Sequence, residues 1–340
     1  MKNKVLLGIL VSQCLITLAT AQTSLVMMKA IVAHQYGGPA VLKYEEAPRP
    51  EPKDDQVLVR VIAAGVNPVD GMILSGMFAR NKTLAAPLIP GGDIAGIVEK
   101  AGNKITKLKK GDPVFAYLSL RNNGGYAEHA VATEKEAAIK PASINFAEAS
   151  AVPIVALTAW QALVDSAKLG PGQSVLIHGG SGGVGMFAIQ IAKARGAKVF
   201  ATASTANQEF LKQLGADVAI DYTKQKFEDI AKDVDVVLDS VGKDTLTRSY
   251  GIVKKGGFIA TLVSDVDKNE LDKHGIRGES ISVVPNSEEL TELGKLIDAK
   301  KIKVIVSQTF PLADAAKALQ QVATGHTRGK IVLKVVDEPK

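Results

Sequence analysis

In the second half of the chain, short apolar runs alternate with amphipathic segments. SVLIHG (174–179), KVFATAS (198–204), VDVVLDSV (234–241), GFIATLVS (257–264) and SISVVP (280–285) are largely apolar on successive positions, the pattern of strands buried on both faces. Strands of that kind separated by amphipathic segments predict a parallel sheet covered by helices on both sides. The stretch before them reads differently. From Met28 to about Ala132, β-rich runs such as VLVRVIAAGV (57–66) are broken by Gly, Pro and Asp punctuation in PEPKDD and PGGD, which predicts a compact, mostly β domain. At Asn145 the texture changes to NFAEASAVPIVALTAWQALVD, an apolar helical stretch suited to bridging two domains. The last portion, from SEELTELGKLIDA to GKIVLKVV, ends in strand-like text and is expected to return to the first domain.

The first 21 residues stand apart. Lys2 and Lys4 precede an apolar run from Val5 to Leu18, followed by Ala19, Thr20 and Ala21. This is the layout of a secretory signal peptide processed after Ala21, and an apolar run of about 15 residues is short for a membrane-spanning helix. On that reading Gln22 to Met27 is a tether before a first strand at Lys29. The mature protein is then periplasmic or secreted, with no stable membrane span. The competing reading starts the protein at Met28, in MKAIVAHQYGG, and makes it cytoplasmic, where reduced cofactor is plentiful. A lipid anchor on Cys14 is disfavoured by the bulky Gln13 before it. Cys14 is the only cysteine of the chain, so removal of the leader also removes thiol catalysis, disulfides and any metal site that needs Cys.

Composition sharpens this picture in two respects. With 340 residues, 46% of them hydrophobic, the chain has material for two cores. The net charge of +6 comes from scattered Lys and Arg, and aromatic residues make up only 5%, which argues against a nucleic-acid partner.

The strongest chemical signal is VLIHGGSGGVGMFAIQIAKARGAKVFATAS, a strand, a glycine loop, a helix and a second strand. Gly180, Gly182 and Gly185 fit GxGxxG. In that fingerprint Gly180 makes the tight turn, Gly182 lets the backbone approach a pyrophosphate, and Gly185 lets helix and strand pack closely. Val184, Phe187, Ala188 and Ile191 fall at i, i+3, i+4 and i+7, an apolar face for the sheet. The helix N-terminus would point unpaired amides at the phosphates. A Rossmann domain follows, as a doubly wound parallel sheet. Where NAD sites carry an Asp or Glu for the ribose, the chain has Phe200 to Thr205 without a carboxylate. Ser204 and Thr205 can donate to a 2′-phosphate, with Lys212, Tyr222 and Lys224 downstream, so NADPH is favoured.

The stretches MKAIVAHQYGGPAVLKYEE, AAGVNPVDGMILSG, PGGDIAGIVEKAG, GGYAEHAVA, VALTAWQAL, HGGSGGVG and GHTRGKIVL stand in this order between Met28 and Val336. By them the chain resembles the medium-chain dehydrogenase/reductase superfamily, in its zinc-free quinone oxidoreductase branch, and most of all the members with NPVD. The resemblance implies an α/β protein with a GroES-like, mostly β catalytic domain built from both ends of the chain, a Rossmann domain between, and a cofactor cleft at the junction. The partition is then 1–21 leader, 28–150 first part of the catalytic domain, 151–288 Rossmann domain and 289–340 return. Cofactor contacts implied by the resemblance are Thr158, Ser181, Gly183 and Val184, with Ser204 and Tyr222 near the adenosine phosphate. Ser240, Leu262, His326 and Arg328 complete the set. A homodimer is left open.

Zinc-dependent members place a His-Glu pair after the Pro-Gly turn, where this chain reads Gly91, Gly92, Asp93. The five histidines, at 34, 129, 178, 274 and 326, show no ligand spacing, so no metal site is expected. Without a Lewis acid the favoured acceptor is conjugated, a quinone or an enone, over which hydride charge spreads. Asn67 is the residue that the resemblance places at the cleft. Asp70 either orients it, relays a proton, or simply caps the helix that follows. Better-known members have a Tyr shortly after that Asn, where Met72 or Ile73 stands here, so the proton donor is unassigned and solvent is a candidate. Tyr222 to Lys226 spells YxxxK, a dyad of short-chain dehydrogenases, and is read as coincidence because the glycine loop lies far from the N-terminus. The alternative to an NADPH-dependent reductase is a protein that binds NADPH as a structural or regulatory ligand with little turnover.

Overall fold

A computed structural model describes residues 25–79, 87–119 and 124–338. The expected signal peptide, with Cys14, lies outside the described residues. Four of the five apolar runs of the second half, joined by Val218–Asp221 and Arg277–Ser280, which the apolar pattern did not mark, form one six-stranded sheet whose neighbouring strands are all parallel. Across the sheet the order is Val218–Asp221, Lys198–Ala203, Ser174–Ile177, Val234–Asp239, Val253–Thr261 and Arg277–Ser280. Numbered along the chain this is 3-2-1-4-5-6, the Rossmann order, which reverses direction between Ser174–Ile177 and Val234–Asp239.

The continuous apolar runs have a direct cause, because successive side chains point to opposite faces and both faces are buried. Val175, Ile177, Val199, Ala201, Val236 and Leu238 pack with Phe187, Ile189 and Ile191 on one side. Leu176, Phe200 and Val237, the residues between them, pack with Phe227, Leu246 and Tyr250 on the other. Each fully buried Val, Leu or Ile contributes about 1.5–3 kcal/mol of hydrophobic stabilisation.

One expected strand is largely absent. Of SISVVP only Ser280 pairs, opposite Thr261 at the end of Arg277–Ser280, an edge strand bonded on one side only; the Ile281 N–H still donates to the Thr261 carbonyl at 2.9 Å, and residues 282–286 then leave the sheet. Their backbone finds a different partner: Gln161 Nε2 donates to the Val284 carbonyl at 2.8 Å and the Val284 N–H donates to Gln161 Oε1 at 3.0 Å. A side-chain amide thus replaces the strand ladder.

The second sheet has seven strands, six of them in the order Val306–Pro311, Lys330–Lys334, Gln56–Val66, Asp93–Ala101, Pro113–Tyr117, Ala137–Ile139, with His129–Thr133 paired to Gln56–Val66. The C-terminal strand Lys330–Lys334 lies antiparallel to the end of Gln56–Val66, with Ile331 opposite Val66. Two elements from opposite ends of the chain are therefore neighbours. The first strand starts at Met27, not Lys29, and Val26 accepts the Arg49 N–H at 2.8 Å, so part of the expected tether is structured. The division expected at residue 288 falls inside the helix Ser287–Asp298.

The bridging stretch forms the helices Phe146–Ser150 and Pro153–Trp160, continued by a wider turn of π-helix at Gln161–Ser166. Asn145 opens it with a reciprocal cap: its Oδ1 accepts from the Glu148 N–H at 2.8 Å, and Glu148 accepts from the Asn145 N–H at 3.0 Å. The first helix packs on the strands Gln56–Val66 and Asp93–Ala101, the second on the glycine-loop helix Gly183–Ala194. Among the described residues no helix is long and apolar enough to cross a membrane.

Candidate active site

The glycine loop turns at Gly179, with φ +69°, and not at Gly180 as the fingerprint suggested. The turn is tight because Ser240 Oγ donates to the His178 carbonyl at 2.8 Å and would lie 2.5 Å from a Cβ on Gly179. Gly180 instead serves packing, since a Cβ there would stand 2.9 Å from Leu211 and 3.1 Å from Ala201. Gly182 is the N-cap of helix Gly183–Ala194. A Cβ on Gly185 would sit 2.3 Å from the Gly179 carbonyl oxygen, so helix and turn are in backbone contact as the motif requires.

A cleft of about 1740 Å³ runs from this helix N-terminus to the start of the helix Pro68–Leu74 in the first domain. Most residues proposed from sequence line it: Asn67, Thr158, Ser181, Gly182, Gly183, Val184, Gly185, Ser204, Tyr222, Ser240, Leu262 and His326. Thr158 spends its hydroxyl proton on the Ile154 carbonyl at 2.7 Å, which leaves it an acceptor. Gly180, Asp70 and Arg328 do not line the cleft. Arg328 lies with its guanidinium 4.1 Å from the Phe210 ring centroid, a stacking contact outside the cleft.

The loop after Lys198–Ala203 also differs in detail from expectation. Thr205 donates to Asp221 at 2.5 Å, so its hydroxyl is occupied, and the Thr205 and Thr223 hydroxyls hold the Asp221 carboxyl below its ordinary range. Lys212 pairs with Glu209 and Lys224 with Asp221. Asn207, which sequence reasoning passed over, lines the cleft and donates to Ser204 Oγ at 3.3 Å.

His178 forms part of the cleft wall and is almost wholly buried. Its Nδ1 and Nε2 engage the hydroxyls of Thr202 (3.2 Å) and Ser249 (3.0 Å), and its ring meets Phe227 edge-on at 4.6 Å. Burial pushes its pKa down to about 3, so it is neutral at physiological pH.

At the other end Asn67 is 1% exposed and sits in a buried polar network. Its Nδ2 donates to Asp93 Oδ2 at 2.9 Å, and its Oδ1 accepts from Lys330 Nζ at 2.6 Å. Lys330 also donates to the Val66 carbonyl at 2.8 Å, with Asp93 3.8 Å away. Asp93 Oδ1 accepts from the Ile154 N–H at 2.8 Å, satisfying an amide in the first turn of helix Pro153–Trp160. Asp70 lies behind Asn67, fully buried, and its Oδ2 accepts from the Asn67 N–H and from the Tyr126 hydroxyl, each at 2.8 Å. It therefore caps the helix from a position that does not line the cleft. Burial pushes Asp70 up to about 6, raises Asp93 and lowers Lys330.

Sequence reasoning missed Lys330 and read Asp93 only as the place of an absent ligand pair. The available signal was a lysine opening the apolar strand KIVLK, a costly place for a charge unless it is paired. Tyr36 and Tyr117 also line this end of the cleft, and burial raises the Tyr117 phenol above its usual range. Among the described residues no Asp or Glu lines the cleft, and its Lys and Arg members are Lys330 and Arg248. No three His, Cys, Asp or Glu side chains among them are grouped to hold a metal ion.

Comparison with known proteins agrees with this architecture. Residues 53–142 match the alcohol dehydrogenase GroES-like domain and residues 214–333 the zinc-binding dehydrogenase family. The chain is 38% identical to an NADPH-dependent alkenal/one oxidoreductase of Arabidopsis thaliana chloroplasts, over 90% of this chain and 79% of the relative. It is 36% identical to the quinone oxidoreductase of Mus musculus, over 90% and 98% respectively. Among solved structures, the quinone oxidoreductase of Coxiella burnetii superimposes with a TM-score of 0.84 at 35% identity, covering 92% of this chain and all of that one. The Escherichia coli quinone oxidoreductase complexed with NADPH gives 0.81 at 32% identity, covering 90% of this chain and 100% of that chain. With an NPVD cleft, a 3-2-1-4-5-6 sheet and relatives of this closeness over nearly its whole described length, the chain belongs to the medium-chain dehydrogenase/reductase superfamily, in its quinone oxidoreductase branch.

Proposed function

We propose that this protein is an NADPH-dependent reductase of quinones or enones that works without a metal. The observation that carries the reading is the charge of the cleft. It contains no carboxylate among its described lining residues, starts at a helix N-terminus, and ends at a neutral amide held by a lysine. An anionic dinucleotide fits such a lining: the amides of helix Gly183–Ala194 face its phosphates, and the Gly185 contact gives the loop the shape to receive them. Ser204, Asn207 and Tyr222 supply neutral polar groups for a 2′-phosphate, and no carboxylate is among the described lining residues there. NADPH, when bound, supplies the hydride.

Asn67 offers an amide to the acceptor oxygen, and Tyr36, Met72, Ile73 and Ile154 give the acceptor an apolar surround that excludes water. A hydrogen-bond donor of this kind suffices where charge spreads over a conjugated system. Both Asp93 oxygens are occupied, by Ile154 and Asn67, so the position of the family's His-Glu pair does not present a free ligand.

The test is NADPH oxidation, followed by loss of absorbance, with a panel of small quinones and enones, before and after dialysis against a chelator. Turnover on several acceptors, unchanged by the chelator, supports the reading. NADPH binding without turnover on any of them would favour a binding protein, and activity restored only by added zinc would remove the metal-free part. We further propose that residues 1–21 are removed on export; N-terminal sequencing of native protein starting at Gln22 would support this, and an intact Met1 would refute it.

A further inference from the structure

We propose that Lys330 is a positioning residue: with Asp93 it locks the Asn67 amide in the one orientation that leaves an N–H free for the acceptor oxygen. This rests on the reductase reading given above. The two ends of a primary amide are nearly the same size, so its orientation is decided by its partners. An ammonium can only donate and an ionised carboxylate can only accept. Lys330 Nζ, 2.6 Å from Asn67, therefore takes the amide oxygen, and Asp93 Oδ2, 2.9 Å away, takes the amide nitrogen. The reversed amide would set NH2 against NH3+ and oxygen against carboxylate, two repulsive contacts in a buried site.

The consequence is chemical. One N–H of Asn67 is spent on Asp93 and one remains, on a residue that lines the cleft. A charge-assisted bond to the carbonyl oxygen draws electron density from the amide and makes the remaining N–H a stronger donor. Negative charge developing on a reduced carbonyl is stabilised by a donor and repelled by a lone pair. The orientation that Lys330 enforces is the useful one.

Lys330 is itself held firmly. It is 3% exposed, its ammonium also bonds the Val66 carbonyl, and its stem lies beside Gly183, where a Cβ would be 3.0 Å from its Cδ. The residue before it, Gly329, donates its N–H to the Ser181 carbonyl of the glycine loop at 2.9 Å. Two consecutive residues thus tie the dinucleotide loop to the Asn67 amide at the far end of the cleft. A buried lysine is destabilising unless its charge is compensated. An apolar residue would continue the strand more cheaply, so the lysine needs a reason beyond packing.

Two measurements test this. In protein without NADPH, the side-chain NH2 resonance of Asn67, identified by its loss in Asn67→Ala, should shift strongly in Lys330→Met and return toward its original position in Lys330→Arg. In turnover, Lys330→Met should lower kcat about 100-fold, the size seen when one oxyanion donor is lost, with NADPH affinity changed less than about twofold. Lys330→Arg should recover a large part. Adding Lys330→Met to Asn67→Ala should have little further effect, because a positioning residue has nothing left to position.

An unmoved Asn67 resonance, or fully additive losses in the double variant, would overturn the proposal. Loss of NADPH binding in step with kcat would overturn it as well, by making Lys330 a cofactor ligand. If Lys330→Met fails to fold, the resonance and the cycle are read with Lys330→Ala, which also removes the ammonium and leaves Lys330→Arg as the rescue. A wild type that turns over no acceptor removes the reductase reading, while the resonance still tests the lock.

Discussion

The Cβ position of Gly185 lies 2.3 Å from the carbonyl oxygen of Gly179, so the dinucleotide helix rests on the turn that feeds it with no room for a methyl group. Gly185→Ala should push helix and turn apart and misalign the amides at the helix N-terminus. The expected result is a loss of NADPH affinity of about tenfold or more and a destabilisation of about 1–3 kcal/mol, the usual cost of overpacking. Fluorescence titration and urea unfolding measure the two. Wild-type affinity in the variant would mean that the loop can relax.

Cofactor choice rests on the absence of a carboxylate between Phe200 and Thr205. Ser204 lines the cleft, and Ser204→Asp would place a negative charge there. NADPH should then bind about tenfold more weakly, while NADH is spared or improved. Parallel titrations with both cofactors decide it. Equal weakening of both would place the 2′-phosphate elsewhere.

His178 links folding to pH. Its folded pKa of about 3 lies below the ordinary 6.5, so its contribution is present in full above 6.5 and is lost as the pH falls toward 3. Integrated over that window the loss reaches up to about 5 kcal/mol. Urea unfolding at a series of pH values should show wild type losing stability on acidification more steeply than His178→Gln. Parallel curves would show that His178 charges without cost.

Asp70 acts with the opposite sign. Its folded pKa of about 6 lies above the ordinary 3.8, so its contribution is present in full below 3.8 and is lost as the pH rises through 6. Acidification from 6 to 4 should therefore stabilise wild type relative to Asp70→Asn, by about 3 kcal/mol at most. Two series of unfolding curves measure the difference. A constant gap between them would refute the buried, reluctant carboxyl.

The four central strands of the Rossmann sheet were legible because both of their faces are buried, which writes an apolar run directly into the chain. Val236, Val237 and Leu238 show this, as neighbours in sequence packed on opposite faces. The same cue misled at SISVVP. An apolar run does not say whether its backbone will pair with a strand or with a side chain such as Gln161.

What the sequence determined by itself was local: the glycine loop with its helix, the missing carboxylate after Phe200, and the strand periodicity. These are legible because motif and partner lie within one strand-loop-helix unit. Tertiary structure decided the rest. Gly179 rather than Gly180 makes the turn because Ser240, from another strand end, crowds it. Asp70 is held back from the cleft by Tyr126, 56 positions away, whose hydroxyl donates to the same oxygen that takes the Asn67 N–H. Lys330 reaches Asn67 across 263 positions, because the last strand of the chain pairs with the strand that ends at Val66. Sequence spacing carries no trace of such a pairing, since it is set by how two distant strands lie side by side and not by either strand alone.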